Sequence, residues 1–355
     1  MVKALTVIVP SCNMEDYLPK CLGSLVVAPE LMDALEVIVV NDGSSDRTGE
    51  IAHRFARTHP RTFRVIDKEN GHYGSCINVA LGTASGRYVR ILDADDWYDT
   101  REFGGFLSAI AAETRSVDMF LTDYDLVSAD GSVLSHGHAQ RLVSRAERVA
   151  MHSATFRTQM LRDANYVQTE GVAYTDMEWV FYPVALAKSV KYLPFTVYKY
   201  RQGREGQSVA PAVAARSVDM KERVFSSMAR LFAAKAPEVG EVGERYMKVC
   251  LRGLSNEIYM HYFFDVEFGC VRKGLAAFDG LVSGLAPFCL ESADELRSPR
   301  RCGVRYVRAW HRAPFLLPSL LVIMRLYSSL ARNAVPLWRH GLDFSRSTRY
   351  NTAKP

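Results

Sequence analysis

The sequence contains no apolar run long enough to cross a membrane. The apolar stretch at residues 315–324 has about ten residues and is interrupted by Pro318, whereas a membrane-spanning helix needs about 20. At the amino terminus, a single lysine precedes a strand-like run of about six residues, which is shorter than the apolar core of a secretory signal. The sequence therefore predicts a soluble protein of the cytoplasm.

Cysteine pairs with metal-binding or redox spacing are also absent. The chain has seven cysteines, an odd number, and no two of them form a Cys-x-x-Cys motif. This pattern indicates neither a zinc site nor a disulfide framework, and we expect reduced thiols. Internal repeats and low-complexity tracts are absent as well.

The amino-terminal part does contain alternating strand and helix patterns. Apolar runs predict strands at Leu5–Pro10, Leu35–Val40, Phe63–Asp67 and Tyr88–Leu92, and helices at about Glu15–Val26, Arg47–Thr58 and Ser75–Ala84. This alternation predicts an α/β fold with a parallel sheet and helices on both faces. Ligands of such sheets bind outside the carboxyl ends of the strands, where polar clusters follow strands one, two and four.

Three aspartates crowd the end of the fourth predicted strand. Asp93, Asp95 and Asp96 lie so close in sequence that their charges repel unless a cation is shared among them. Mg²⁺ and Mn²⁺ prefer carboxylate oxygens, and Mg²⁺ usually keeps positions open for phosphates. The motif therefore predicts a metal–diphosphate site. The alternative is a solvated loop whose aspartates cap the next helix.

Four motifs in this part of the chain resemble family 2 glycosyltransferases of the GT-A fold. They are Val9–Leu18, Val39–Asp46, Asn70–Ser75 with Asn78, and Leu92–Asp96. The resemblance weakens after about Val127 and returns at Tyr174–Trp179 and Gly203–Val209. It implies a Rossmann-like sheet that binds a nucleotide-sugar.

The resemblance assigns the first two loops to the nucleotide. Asp42 would accept a hydrogen bond from the base, although Asp-Gly-Ser is also good chemistry for a turn that closes the strand–helix connection. Pro10, Ser11 and Asn13 would meet the base and the ribose. Asn13 could equally be a turn residue.

Two further segments are implied to face the donor. Asn70 and Gly71 open a helix, and backbone N–H groups at a helix amino terminus favour anions. Arg204 follows a strand-like segment, and an arginine in a Gly-Arg-x-Gly loop could bind the diphosphate. The alternative for Arg204 is an exposed turn.

The acidic motifs would carry the chemistry. The resemblance implies that Asp95 coordinates Mn²⁺ or Mg²⁺, with Asp93 and Asp96 assisting. Asp176 aligns with the catalytic base of an inverting transfer, which would deprotonate the acceptor hydroxyl. The alternative for Asp176 is a helix amino-terminal cap, because an apolar run follows it.

The carboxyl-terminal third is helical in pattern and locally basic. Six arginines between residues 297 and 312 precede the apolar stretch at 315–324. This combination predicts contact with an anionic membrane surface, such as the inner face of the cell membrane. The alternative is a helical domain with solvated arginines. No nucleic-acid-binding fold is indicated.

These patterns predict two domains and one preferred activity. Residues 1–211 would form the catalytic domain, with nucleotide-sugar binding in 1–127 and the acceptor side in 128–211, and residues 212–355 a helical domain. The predicted activity is metal-dependent, inverting transfer of a hexose from a nucleotide-diphosphate donor, with UDP as the expected nucleotide. The resemblance implies that the acceptor is a glycan or lipid-linked hydroxyl in surface polysaccharide or glycolipid synthesis. The alternatives are a sugar nucleotidyltransferase and a non-catalytic nucleotide-sugar-binding protein.

Overall fold

The computed structural model describes residues 3–203, 218–297 and 304–332. The chain divides into two compact units, residues 1–204 and 205–355. The domain boundary predicted at 211/212 lies outside the described residues, and so does Arg204.

The first unit is built on one mixed sheet, in which we describe nine strands. They are β1 Leu5–Ser11, β2 Leu35–Asp42, β3 Phe63–Lys68, β4 Tyr88–Ile91, β5 Trp97–Tyr98, β6 Met119–Val127, β7 Val133–Gly137, β8 Ala154–Arg157 and β9 Val190–Arg201. The strand order is β3-β2-β1-β4-β8-β6-β9-β5, with β7 paired to β6.

The half of the sheet formed by β3, β2, β1 and β4 is parallel, as the alternating patterns predict. Nearly every residue of β1 and β2 is buried, which explains why these strands are near-continuous apolar runs. Strands β2 and β4 lie on opposite sides of β1, so the order in which strands are added to the sheet reverses at β1. The loops after β1, β2 and β4 therefore meet at one edge, where α/β folds bind ligands.

The other half of the sheet contains antiparallel pairs that the predicted all-parallel sheet did not include. Strand β8 is antiparallel to β4 and to β6, while β9 is parallel to β6 and antiparallel to the short β5. These pairings join residues about 35 to 100 positions apart, and a local apolar pattern carries no information about such partners. Through its pairing with β5, the end of β9 lies beside the aspartate-rich loop after β4.

Eight α-helices of the first unit are described. They are α1 Leu18–Gly23, α2 Pro29–Met32, α3 Thr48–Thr58, α4 His72–Thr83, α5 Thr100–Ala112, α6 Thr158–Asp163, α7 Asp176–Trp179 and α8 Tyr182–Leu186. The best-defined cap is that of α5, where the Asp99 carboxylate accepts hydrogen bonds from the N–H groups of Arg101 and Glu102. Phe103, Phe106 and other apolar residues of α5 pack into the main core with β1 and β2.

The second unit is helical over its described residues. Its helices are α9 Val218–Lys235, α10 Gly240–Phe264, α11 Phe268–Leu285, α12 Phe288–Asp294, α13 Tyr306–Arg312 and α14 Leu317–Arg332. Its core includes the rings of Phe225 and Tyr259, each of which packs edge to face against Phe278. A short 3₁₀ turn at Ala236–Glu238 separates α9 from α10. Helix α10 begins at Gly240, whose φ of +71° suits glycine. Within the described ranges, no helix is long and apolar enough to cross a membrane.

Candidate active site

The loops after β1 and β2 are tied to each other by side-chain hydrogen bonds. Asn13 has a left-handed φ of 53°, and its Oδ1 accepts a hydrogen bond of 2.9 Å from the N–H of Ser45. The N–H of Asn13 donates to Ser44 Oγ at 3.1 Å. Asn13 thus has the contacts of a turn residue, and a contact of its side chain with ribose stays a prediction. Ser11, at the end of β1, is buried, and Pro10 is partly exposed.

Asp42 joins the end of β2 to the loop that precedes α4. Its Oδ1 accepts hydrogen bonds from Lys68 Nζ at 2.7 Å and from the N–H of Gly71 at 2.9 Å. Asn70 Nδ2 donates to the backbone oxygen of Asp42 at 3.0 Å. Asp42 is only 3% exposed, so its carboxylate holds this loop in place. Its predicted contact with the base remains untested.

Asp93 occupies a partly buried position at the end of β4. Tyr73 donates its hydroxyl proton to Asp93 Oδ1 at 2.8 Å, and the N–H of Asp93 donates to Tyr198 Oη at 3.2 Å. Burial, reinforced by the charge of Asp95, raises the pKa of Asp93 to about 7. A cation at this position would favour the charged carboxylate.

Asp96 has a different environment, although it lies only three residues further on. It is 1% exposed. Tyr198 donates its hydroxyl proton to Oδ2 at 2.7 Å, and the N–H of Arg201 donates to Oδ1 at 2.7 Å. Burial and the charges of Asp95 and Asp93 raise its pKa well above the usual range. Both oxygens accept hydrogen bonds that bind the loop to β9, so the contacts give Asp96 a positioning role, and its part in metal binding stays a prediction.

Asp95 lies between these two carboxylates and is partly exposed. Its backbone oxygen accepts a hydrogen bond of 3.0 Å from Arg201 Nε, and its negative charge contributes to the raised pKa values of Asp93 and Asp96. Over the described ranges, no three His, Cys, Asp or Glu side chains are arranged as a ready metal site. Asp95 and Asp93 nevertheless provide hard carboxylate oxygens of the kind that Mg²⁺ and Mn²⁺ prefer.

Two cations lie against Trp97 at the border of this loop. Lys20 Nζ is 3.2 Å from the centre of the ring, and the guanidinium carbon of Arg201 is 4.9 Å from it. The same guanidinium lies 5.2 Å from the ring of Tyr17. Arg201 therefore connects the aspartate loop with the start of α1, a connection that the sequence does not reveal because 184 residues separate Tyr17 and Arg201 (201 − 17).

The fold also brings Asp176 to this cluster. Asp176 is the first residue of α7 and is partly buried. Burial and nearer charges are the main causes of the raised pKa values of Asp93, Tyr73 and Tyr200. The negative charge of Asp176 is a further cause of all three. The predicted base and the predicted metal ligand Asp93 are thus close enough for their charges to interact, and their roles stay predictions. Asp176 also begins a short helix, so the alternative of a structural role coexists with this placement.

Glu178 has a separate role, although it is only two residues from Asp176. It is 6% exposed. Its Oε2 accepts a hydrogen bond of 2.7 Å from the N–H of Thr169, and its Oε1 accepts another of 2.7 Å from the Thr169 hydroxyl. These contacts fix the turn before α7 and leave Asp176 as the carboxylate of this motif that faces the cluster.

Helix α4 anchors the segment that carries Asp176. Asn78 bonds to both backbone groups of Gln168, with Oδ1 accepting at 2.8 Å and Nδ2 donating at 2.9 Å. A Cβ on Gly74 would lie 2.1 Å from the backbone oxygen of Thr169. Glycine is therefore required for the close approach of this segment to the helix. The motif at residues 70–78 positions the segment that leads to Asp176, and its contact with the donor stays a prediction.

The geometry agrees with comparisons to known proteins. Residues 6–166 match the sequence model of the family described as glycosyl transferase family 2. Residues 6–166 thus form a domain that is similar in sequence to family 2 glycosyltransferases.

Related glycosyltransferases come from several bacteria. The domain is 41% identical over 95 residues to glycosyltransferase GlyA of Streptococcus pneumoniae serotype 4, an alignment covering 27% of this chain and 13% of GlyA. It is 27% identical over 227 residues to the uncharacterized glycosyltransferase EpsJ of Bacillus subtilis, covering 59% of this chain and 64% of EpsJ. The chain thus spans less than two thirds of the length of each of these relatives.

Solved structures show the fold of the chain. Residues 1–349 of S. aureus TarS, solved in complex with UDP-GlcNAc, superpose with a TM-score of 0.64 at 18% identity, covering 92% of each chain. This similarity, together with the sheet order, shows an α/β GT-A fold with a helical carboxyl-terminal region, which confirms the predicted fold class.

Proposed function

We propose that this protein is an inverting glycosyltransferase that moves a hexose from a nucleotide-diphosphate donor to a hydroxyl acceptor in surface polysaccharide or glycolipid synthesis. The observation that carries the proposal is the convergence of Asp93, Asp95 and Asp176 at the carboxyl edge of the parallel strands. Inverting transfer needs a charged group for the leaving diphosphate and a base for the acceptor at one centre. The family match supports this class of chemistry.

The donor proposed is a UDP-sugar, held by the loops after β1, β2 and β3. Pro10, Ser11 and Asn13 would border the base and ribose, and Asp42 would accept a hydrogen bond from the ring N–H of the base. The structurally similar TarS is solved in complex with UDP-GlcNAc, which supports a nucleotide-sugar of this kind. Asn70 and Gly71, which are fixed to Asp42, would close the pocket on the side of α4.

A divalent cation is proposed to bind at Asp95, with Asp93 as its second carboxylate. The cluster fits a cation because burial and mutual repulsion already disfavour the charged carboxylates, as the raised pKa of Asp93 indicates. When bound, Mn²⁺ or Mg²⁺ would stabilise negative charge on the leaving diphosphate. Tyr73 orients Asp93 through its hydroxyl, and Asp96 keeps the end of β9 against the loop.

Asp176 is proposed to remove the proton of the acceptor hydroxyl. A carboxylate at the first residue of α7, held in place by the Glu178–Thr169 bonds, can accept this proton as the oxygen attacks the anomeric carbon. Attack from the face opposite the diphosphate inverts the anomeric configuration. A glycan or a lipid-linked sugar supplies a suitable hydroxyl.

The two alternative functions make different demands on the chain. A sugar nucleotidyltransferase normally has a glycine-rich loop with Arg or Lys after the first strand, but Ser11–Glu15 contains none of these residues. A non-catalytic binding protein would bind the donor without cleaving it. Transfer or slow hydrolysis of a UDP-sugar therefore separates this alternative from the proposed enzyme.

The Asp95→Asn variant tests the proposal. We expect it to lose Mn²⁺-dependent binding of UDP in titration calorimetry while its melting temperature stays close to that of the wild type, because one of several repelling carboxylates is neutralised. Asp163→Asn, at the exposed end of α6, is the matched control and should bind UDP normally. Unchanged Mn²⁺-dependent affinity in Asp95→Asn would contradict the metal assignment.

A further inference from the structure

Helix α14 presents apolar side chains to solvent along one face. Phe315, just before the helix, is 74% exposed, and Leu326 is 61% exposed. The exposed apolar face consists of Phe315, Leu316, Val322, Ile323 and Leu326. The opposite side, with Leu317, Leu321 and Met324, is buried. The helix is therefore apolar on both sides, and only one of them is covered by the described part of the chain.

The exposed apolar face lies within an uninterrupted basic stretch of sequence. Residues 296–342 contain nine arginines and neither aspartate nor glutamate. These arginines are Arg297, Arg300, Arg301, Arg305, Arg308, Arg312, Arg325, Arg332 and Arg339. The whole chain has a formal net charge of only +5, so the positive charge of this stretch is a local feature that fits an anionic partner.

The structure separates the arginines that already have acidic partners from those that face solvent. Arg305 and Arg308 both pair with Glu295, so two cations share one carboxylate. Arg325 donates to the backbone oxygens of Phe263 and Val266, which fixes α14 to the end of α10. Arg297 and Arg312 are exposed. Arg300 and Arg301 lie outside the described residues. Among the described arginines, Arg312 is thus the exposed cation nearest in sequence to the apolar face.

We propose that α14 binds the surface of a membrane that contains anionic lipids. The exposed apolar face would enter the boundary between headgroups and acyl chains, and Arg312 with its neighbours would meet the lipid phosphates. The helix has 16 residues, and Arg325 lies within it. It is too short to span the bilayer and suits a position in the plane of the interface.

A second copy of this chain is a less suitable partner for the same face. A two-fold symmetric contact places each patch against itself, so the exposed Arg312 of one copy would meet a patch that carries the same positive charge. Like charges at an interface are unfavourable unless counter-charges are present. An anionic lipid surface supplies those counter-charges together with an apolar interior.

Co-sedimentation of the full chain with vesicles of phosphatidylcholine and phosphatidylglycerol tests the proposal. The wild type should bind at low ionic strength, release as salt is raised, and bind weakly to vesicles of phosphatidylcholine alone. The double variant Ile323→Gln and Leu326→Gln should bind more than about tenfold more weakly, since two apolar side chains are lost from the interface. Arg312→Gln should weaken binding by a smaller factor and reduce its salt dependence.

The matched control is Val242→Gln, which changes an exposed apolar residue on α10 outside the face. It should bind vesicles like the wild type, and all variants should retain Mn²⁺-dependent UDP binding, which separates a failure of this proposal from a failure of the proposed function. Equal partitioning of wild type and double variant would overturn membrane binding. So would a wild type that ignores vesicles but whose oligomeric mass falls in the double variant, because the face would then bind a second copy.

Discussion

At the scale of single residues, the site depends on which hydrogen bonds each carboxylate receives. Tyr73 binds Asp93, whereas Tyr198 and the backbone of Arg201 bind Asp96. The same residue type in a three-aspartate motif therefore has different environments within four positions. Asp95, between them, is the carboxylate through which a cation would most directly relieve the repulsion.

The pair Asp176 and Glu178 gives a prediction at this scale. Asp176→Asn should keep UDP affinity and the wild-type melting temperature but lose transfer by about 10²-fold or more, the usual scale for removing a general base. Initial rates with a UDP-sugar, together with calorimetry, measure both properties. If UDP binding falls with turnover, Asp176 belongs to the donor pocket or to the fold.

Glu178→Gln is the matched comparison, two residues away. A Gln amide in place of the buried carboxylate weakens the bonds to Thr169, so the free energy of unfolding should fall by about 1–3 kcal/mol. Loss of transfer in this variant without loss of stability would show that Glu178 takes part in the chemistry.

At the scale of elements, the arrangement of β4, β8 and β9 explains how the site is supported. Arg90 of β4 is fully buried and donates to Thr122 Oγ1 at 2.9 Å, to Thr155 Oγ1 and to the backbone oxygen of His152. The His152 ring lies 4.2 Å from the ring of Tyr124 and also contacts Tyr198 and Tyr200, centre to centre at 5.2 and 4.9 Å. His152 thus packs against the strand that holds Asp96.

His152 predicts a pH dependence of stability. Burial, with the nearby Arg90 charge, lowers the pKa of His152 to about 3 from 6.5. Between these values the unfolded chain binds the proton and the folded chain does not, so the free energy of unfolding should fall as pH falls from about 6.5 toward 3. In His152→Phe this slope should be shallower by about one proton, as measured by urea unfolding at several pH values.

His152→Gln is the control for packing, because it removes the titrating group but not the polar character of the side chain. Both variants should show the same change in slope, whatever their absolute stabilities. If the free energy of unfolding depends on pH in both variants as it does in the wild type, His152 is not the group that takes up the proton.

At the scale of the whole molecule, the chain contains two units with separate cores. The helical unit has its own buried polar network, in which Lys221 Nζ donates to Glu257 Oε1 at 2.6 Å and lies 2.8 Å from His261 Nε2. His261 Nδ1 is in turn 2.7 Å from Asp265 Oδ2. The acidic cluster and its supporting strands all belong to the first unit.

Calorimetric melting of the full chain should therefore show two transitions. UDP with Mn²⁺ should raise the temperature of only one transition, because a ligand stabilises the unit that binds it. Lys221→Met should lower the unfolding free energy of the helical unit by about 3 kcal/mol or more, since it removes the buried cation that lies 2.6 Å from the Glu257 carboxylate. A single melting transition whose temperature rises with UDP would contradict the expectation that the two units unfold separately.

The sequence by itself determined the parallel strands, the family resemblance and the residue types of the site. These features are local: apolar runs such as Leu35–Val40 and the motif Leu92–Asp96 carry their information within a few residues. Strands β1 to β4 lie where these runs place them.

Only the tertiary structure decided how those parts meet. The antiparallel pairing of β8 with β4, the contact of β9 with the aspartate loop, and the approach of Asp176 to Asp93 each join residues about 70 to 105 positions apart. Strand pairing is set by which faces and edges remain to be covered, so the local period of a strand does not name its partner. For the same reason, Asp93 and Asp96 look equivalent in sequence, but Tyr73 and Tyr198 give them different roles.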